Sequence, residues 1–316
     1  MKVLIMGITG FAGSHMYNLL NSIKKVKIYG AFKDSTKNRN IKNEFNNAIL
    51  KEFDINNIYS VEKLLEEIHP DIIFHFASYV SVHRSFLDPL STFQTNIMGT
   101  AYLLEISKNI IPNAKILMPG SAEEYGKVLQ NKMPIKEEYP LLPLSPYAIS
   151  KKVQEEIGMY YLNKYNLNIY FTRTFHYTGP RQPQGFVCSD FAKQIIDYEK
   201  GKINSIKVGN LEAKRDFTDI RDVVSAYWMI IEKGEIGNIY NVCNGKSIAI
   251  QEILNKLIIL SGKDIKIEIS NDKLRPSDVP DFIGDNKKLK KLGWKPRFSI
   301  NESLKDLLEG WRNEIV

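Results

Sequence analysis

Short apolar runs rich in β-branched residues alternate, through the first half of the chain, with stretches whose apolar positions recur at helical spacing. The runs Lys2–Met6, Lys27–Phe32, Ala48–Phe53, Asp71–Phe76, Lys115–Met118 and Asn168–Thr174 read as strands. Amphipathic helices lie between most of them. Such alternation implies parallel pairing through crossovers, so the pattern predicts an α/β fold built on a doubly wound parallel sheet with helices on both faces. After Thr174 the rhythm changes. Segments rich in Gly, Pro and aromatics lead to a helix over Ser189–Lys200, and Ile239–Val242 reads as a late return to the sheet. Residues 1–174 with roughly 215–245 are assigned to the sheet domain, and roughly 175–214 with 246–316 to a smaller, interleaved C-terminal lobe.

Composition narrows this little. The chain has 316 residues, 43% hydrophobic and 25% charged, an ordinary globular balance with no apolar run long enough to span a membrane. The apolar start, Met1–Met6, meets a glycine at Gly7 and is too short for a signal-peptide core, so a cytoplasmic location is expected. Cys188 and Cys243 lack metal-ligand or CxxC spacing, and neither a disulfide framework nor a metal site is expected. The net charge of +7 comes mostly from lysines interspersed with acids, as in Glu62–Glu67, which reads as a solvated surface. Neither nucleic acid nor membrane is therefore expected as a partner. The basic excess suits an anionic diphosphate ligand.

The first strand runs into Gly7-Ile8-Thr9-Gly10-Phe11-Ala12-Gly13, with a helical pattern from Ser14. Glycines there permit a tight turn and let backbone amides approach a pyrophosphate at the positive end of the following helix. The spacing is GxxGxxG, and in that variant it resembles the extended short-chain dehydrogenase/reductase family, which implies a Rossmann-type dinucleotide domain. The resemblance makes Gly7, Thr9, Gly10, Phe11, Ala12 and Gly13 cofactor residues. It adds Asp54 and Ile55 after the third strand, where the family contacts adenine, and Phe76 and Ala77 after the fourth, where it lines the cofactor. Read for structure alone, Asp54 is a helix N-cap, and His75 is either a packed core histidine or a contact; His75 is kept outside the cofactor set. The second strand ends Gly30-Ala31-Phe32-Lys33-Asp34, with no acid at the strand end itself. Lys33 stands where related enzymes carry a phosphate-binding arginine, so NADP(H) is favoured, while Asp34 keeps NAD(H) open.

Tyr147-Ala148-Ile149-Ser150-Lys151 matches YxxxK at the start of a helical segment, a spacing that puts both side chains on one face. The lysine is expected to lower the tyrosine's pKa and hold the nicotinamide ribose, leaving the phenol to exchange a proton with substrate. Ser121, in Gly120-Ser121-Ala122-Glu123-Glu124-Tyr125-Gly126, corresponds to the family's active-site serine and would polarise the substrate oxygen. Catalytic candidates are thus Ser121, Glu123, Tyr147 and Lys151.

The second half resembles the GDP-sugar branch of that family, most closely GDP-4-keto-6-deoxy-mannose reductases and next GDP-mannose 4,6-dehydratases. Matching stretches include Thr172–Phe175, Gly179-Pro180, Gly185–Val187, Lys207–Leu211, Arg215–Asp219, Leu274–Val279 and Gly293–Pro296. What the resemblance implies is that Arg215 and Arg275 hold the diphosphate, Val208 flanks guanine and Asp278 reaches the nucleotide ribose. It places Ser81, Glu123, Phe186, Val187, Lys207 and Asn244 around the substrate as well. After Phe175 the family usually has Asn-His, whereas this chain has His176-Tyr177, and His176 joins the substrate set with the sugar left open between mannose- and heptose-derived. Related dehydratases carry Ser/Thr, then Asp or Ser, then Glu where this chain has Ser121-Ala122-Glu123. The methyl at Ala122 favours NADPH-dependent reduction of a GDP-4-keto-6-deoxy sugar, with a GDP-sugar 4,6-dehydratase as the alternative. A 4-epimerase ranks below these, and so does a non-catalytic NADP- or RNA-binding relative, against which the intact Tyr147 and Lys151 argue. The resemblance implies a homodimer or homotetramer, paired through helices over Leu90–Lys108 and Tyr147–Tyr165.

Overall fold

The computed structural model describes residues 1–33, 41–270 and 280–313. Its strands, in chain order, are β1 (Lys2–Met6), β2 (Lys27–Phe32), β3 (Ala48–Glu52), β4 (Ile72–His75), β5 (Lys115–Ser121), β6 (Asn168–Thr174), β7 (His176–Thr178), β8 (Ile206–Val208), β9 (Lys214–Asp219), β10 (Ile239–Val242), β11 (Ser247–Ala249), β12 (Ile267–Ile269) and β13 (Asp281–Phe282). The helices are α1 (Phe11–Asn21), α2 (Ile41–Glu44), α3 (Ile58–Ile68), α4 (Val82–Leu87), α5 (Pro89–Phe93), α6 (Gly99–Ile110), α7 (Pro146–Tyr165), α8 (Val187–Glu199), α9 (Ile220–Lys233), α10 (Ile250–Ser261), α11 (Lys287–Lys291) and α12 (Ile300–Arg312).

One parallel sheet of seven strands, ordered β10-β6-β5-β4-β1-β2-β3, carries the architecture. Its central strands are apolar on both sides because helices cover both faces. On β1, Val3 and Ile5 join Met16 of α1 and Val223, Tyr227 and Ile230 of α9 on one face. Leu4 and Met6 point the other way, into Leu64 and Leu65 of α3 and Leu103 and Leu104 of α6. The expected doubly wound sheet is what the chain forms. The second lobe packs α8, α10 and α12 around Phe191, Ile195, Leu254, Leu257, Leu304 and Leu307. There β9 pairs antiparallel with β11 and parallel with β7 and β13, while β8 pairs with β12.

Several boundaries differ from the sequence reading. Helix α1 begins at Phe11, three residues before Ser14, because Gly10 serves as its N-cap and the third glycine is taken into the first turn. Strand β5 runs on to Ser121, carried by register with β6 up to the pair Ser121 and Thr174. The single helix expected over Leu90–Lys108 is α5, a π-helical turn over Gln94–Met98, and α6.

Candidate active site

The order of the large sheet reverses at β1, whose neighbours are β2 and β4, so a crevice opens beyond the carboxyl ends of β1 and β4. The loop after β1 fills its near side. Gly7 adopts φ +89°, and a Cβ on it would lie 3.1 Å from the Phe76 and Ala77 backbone after β4. A Cβ on Gly13 would lie 2.1 Å from the Gly7 carbonyl oxygen, so helix and loop approach as closely as only glycine permits. Thr9 and Gly10 are exposed at the tip of this turn. The first amides of α1 have no partner within the helix and lie at its positive end, a fit for the pyrophosphate of a dinucleotide.

Aromatic rings wall the crevice. Phe11 stacks on Tyr177 with centroids 5.8 Å apart, and Phe76 packs on Tyr227 at the same separation. Beyond β2 and β3, Lys33 Nζ is 3.0 Å from Asp54 Oδ2. Asp54 is not a helix cap: Asn57 caps α3, and Asp54 accepts the Asn56 amide. Ile55 turns into the core and is 5% exposed. His75 is a packed core residue, its Nε2 3.0 Å from the Thr100 hydroxyl, and burial lowers its pKa to about 3, so it is neutral. Asp34 lies outside the described residues.

Tyr147 and Lys151 occupy the first turns of α7, which Ser145 caps by accepting the Ala148 amide. Ser121 ends β5 and caps the short 3₁₀ turn Ala122–Tyr125, its hydroxyl accepting the Glu123 amide at 3.2 Å and hydrogen-bonding Tyr147. Ser121, Tyr147 and Lys151, widely spaced in sequence, thus converge where β5 and α7 meet. Lys151 donates to Ser78 Oγ at 3.2 Å and Gln154 Oε1 at 2.8 Å, and burial lowers its pKa to about 8. Contrary to expectation, the Tyr147 phenol is pushed well above its usual value. Burial is the chief cause, with Tyr177, Glu124 and Glu123 adding to it and the Ser121 hydrogen bond opposing. The phenol is therefore firmly protonated. Lys151, whose ammonium donates to Ser78 and Gln154, does not offset the burial.

Glu123 and His176 come together, with Oε1 and Nε2 3.8 Å apart, and the imidazole leans edge-on against Phe217 and Phe282. Ala122, adjacent to both Ser121 and Glu123, instead packs into the apolar cluster of Tyr125, Ile135, Phe175 and Phe282.

In the second lobe Phe186 is the N-cap of α8 and Val187 its first residue, both half-buried. Lys207 is exposed, and Arg215 donates to the Lys214 carbonyl. The Asn244 amide donates to Asp216 at 2.8 Å, and Ser81 caps α4. Expected to flank a base, Val208 is instead fully buried in the lobe core with Ile206 and Phe217, and its side chain offers no face to a ligand. Arg275 and Asp278 lie outside the described residues.

Two residues escaped the sequence reading. Asn96, in the π-helical turn, accepts from the Ser78 hydroxyl and the Tyr79 amide and donates to Ser150, so it orients the serine that meets Lys151. Glu124 is fully buried beneath Ser121, and the Ser-x-x-Glu capping-box spacing was its signal.

A family model described as GDP-mannose 4,6 dehydratase matches residues 4–307. The chain is similar to GDP-6-deoxy-D-mannose reductase of Pseudomonas aeruginosa, 32% identical over 248 residues that cover 78% of this chain and 82% of the relative. It is also similar to GDP-mannose 4,6 dehydratase of Homo sapiens, 27% identical over 338 residues, covering 96% and 90% of the two chains. Among solved structures, RMD from Pseudomonas aeruginosa complexed with NADPH superposes with a TM-score of 0.87 at 28% identity, over 99% of each chain.

Proposed function

The chain belongs to the GDP-mannose 4,6 dehydratase family, and from that premise we propose that it reduces the 4-keto group of a GDP-4-keto-6-deoxy sugar, mannose- or heptose-derived, with NADPH. Its class is that of NAD(P)-dependent short-chain dehydrogenase/reductase enzymes. The observation that carries the reductase reading is the turn after β5. Ala122 is walled into the core, so the turn presents one proton-transferring side chain, Glu123, beside the protonated Tyr147. Ketone reduction consumes one proton, and a buried, protonated phenol hydrogen-bonded to Ser121 is the form needed to give it. Elimination of water across carbons 5 and 6 needs one proton removed and another delivered.

The amides at the start of α1 and the crevice walls fit a nicotinamide dinucleotide, which supplies hydride when bound. Lys151 would hold its ribose, Tyr147 would protonate the new alkoxide, and Ser121 would polarise the carbonyl. Residues 1–174 with roughly 215–245 then form the cofactor side, except that β9 pairs within the smaller sheet. The remainder holds the nucleotide sugar, with Arg215, Lys207 and Asn244 toward its diphosphate and nucleotide end and His176 and Glu123 toward the sugar. Self-association would use α5, the π-helical turn, α6 and α7, with Leu90 of α5, Met98 of the turn and Ile149 and Tyr160 of α7 exposed.

Incubation with NADPH and freshly made GDP-4-keto-6-deoxy-mannose should consume NADPH and yield a 4-hydroxy product by NMR. Tyr147→Phe should lower the rate by ~10²-fold or more while cofactor binding persists. A ketosugar left unreduced by the wild type sinks the reading for the mannose series, and the heptose-derived ketone is the second arm. A 4,6-dehydratase is the second reading, favoured by one feature: the Glu123 carboxyl, half-exposed and 3.8 Å from His176, could serve as a base toward carbon 5.

A further inference from the structure

Lys151 reaches the site from α7 almost wholly buried, 4% exposed. Its ammonium sits at the end of a flexible four-carbon stem and carries three donors that turn freely about the last bond, so the head has no direction of its own. Two neutral oxygens aim it: Ser78 Oγ at 3.2 Å and Gln154 Oε1 at 2.8 Å.

Ser78 follows β4, and its hydroxyl gives its proton to Asn96 Oδ1 at 2.9 Å, which leaves an oxygen lone pair turned to the lysine. Gln154 has no part in the reaction proposed above. It lies three residues after Lys151 on the same face of α7 and is 2% exposed. An amide offers a donor at one end and an acceptor at the other, but an ammonium only donates, so Gln154 must present its oxygen. It makes the shorter of the two bonds. The acid next along the helix does not compete for the lysine. Glu155 is taken by Arg173, whose Nε and Nη2 fork onto it at 3.0 and 2.7 Å. Lys151 thus has two of its donors on acceptors that are themselves held, one by Asn96 and the other by burial in the helix face.

We infer that Gln154 is a positioning residue: with Ser78 it occupies two of the three donors of Lys151 and so aims the third at the nicotinamide ribose. The ribose contact rests on the function proposed above. A head fixed before the cofactor arrives need not be immobilised on binding, and one such side chain is worth about two- to tenfold in affinity.

The test compares NADPH with ADP, which carries adenosine and a diphosphate but no nicotinamide ribose, by calorimetry on the wild type, Gln154→Met and Gln154→Glu. Methionine keeps the length of the side chain and removes the amide oxygen, while glutamate restores an oxygen at the same reach. NADPH should bind Gln154→Met about three- to tenfold more weakly, with ADP affinity unchanged, and Gln154→Glu should recover most of the loss. Equal NADPH affinity in the wild type and Gln154→Met overturns the inference. So does a parallel loss of ADP binding, the mark of a merely structural role. Failure of the wild type to bind NADPH or NADH sinks the proposed function instead. The lysine contact is then decided, as it is if Gln154→Met does not fold, by NMR of the Lys151 ammonium in protein with isotopically labelled lysine Nζ. Its signal should move on Gln154→Glu, and a signal that this substitution leaves in place is equally fatal to the inference.

Discussion

Lys33 stands at the end of β2 with its ammonium 3.0 Å from the Asp54 carboxylate, and its side chain is 66% exposed. An exposed pair of this kind is worth only ~0–1 kcal/mol, so the phosphate of NADPH can draw the ammonium away from Asp54. Asp54 stays close by and repels that phosphate, which limits the gain. NADPH should therefore bind more tightly than NADH, and Lys33→Ala should narrow the gap by about tenfold or less. Titration of both cofactors against both proteins checks this, and equal affinities in the wild type would remove Lys33 as the phosphate reader. At this scale the convergence of Ser121, Tyr147 and Lys151 was legible because their motifs sit on a strand end and one helix face. Glu124 was not, because adjacent acids were read as one candidate base, Glu123. Nor could sequence alone tell that Val208 and Ile55 spend their side chains on the core, since an apolar residue next to a binding motif looks the same whether it lines a ligand or packs inward.

The elements of the large sheet were legible for a related reason. Strands buried on both faces are continuous apolar runs, and β1, β2, β6 and β10 match the sequence reading to the residue. Strands of two to six residues in the second lobe, such as β13 and β9, are too short or too polar to show a period. The π-helical turn at Gln94–Met98 also leaves no hydrophobic signature, yet it aims Asn96 at Ser78 and Ser150. Between β5, β6, β10 and α7 the joint is polar: Arg173 holds Glu155 and Tyr125, and Tyr125 donates to Asn241 at 2.8 Å. Glu155→Ala would leave that guanidinium buried without its fork. The expected loss is about 3–5 kcal/mol of stability, read from the denaturant midpoint. A loss below about 1 kcal/mol would mean that Glu124 or water takes over the guanidinium.

For the molecule as a whole, the question is which reaction a family with both reductases and dehydratases runs here. The two lobes meet over Tyr147, Glu123 and His176, with β7 leaving the end of β6 to pair with β9 and so carrying His176 from the cofactor side into the smaller sheet. A dehydratase would start from an alcohol and first need Tyr147 as a base, so the phenol would have to give up a proton that its burial above all opposes. A reductase starts with that proton in place and only spends it. The subsequent elimination would also load both proton transfers onto Glu123, because the residue before it, Ala122, faces the core. GDP-mannose incubated with the protein and oxidised cofactor should therefore yield no product lighter by one water in mass spectrometry. Efficient appearance of that product would make the chain a dehydratase, with Glu123 and His176 as the pair that moves the carbon 5 proton.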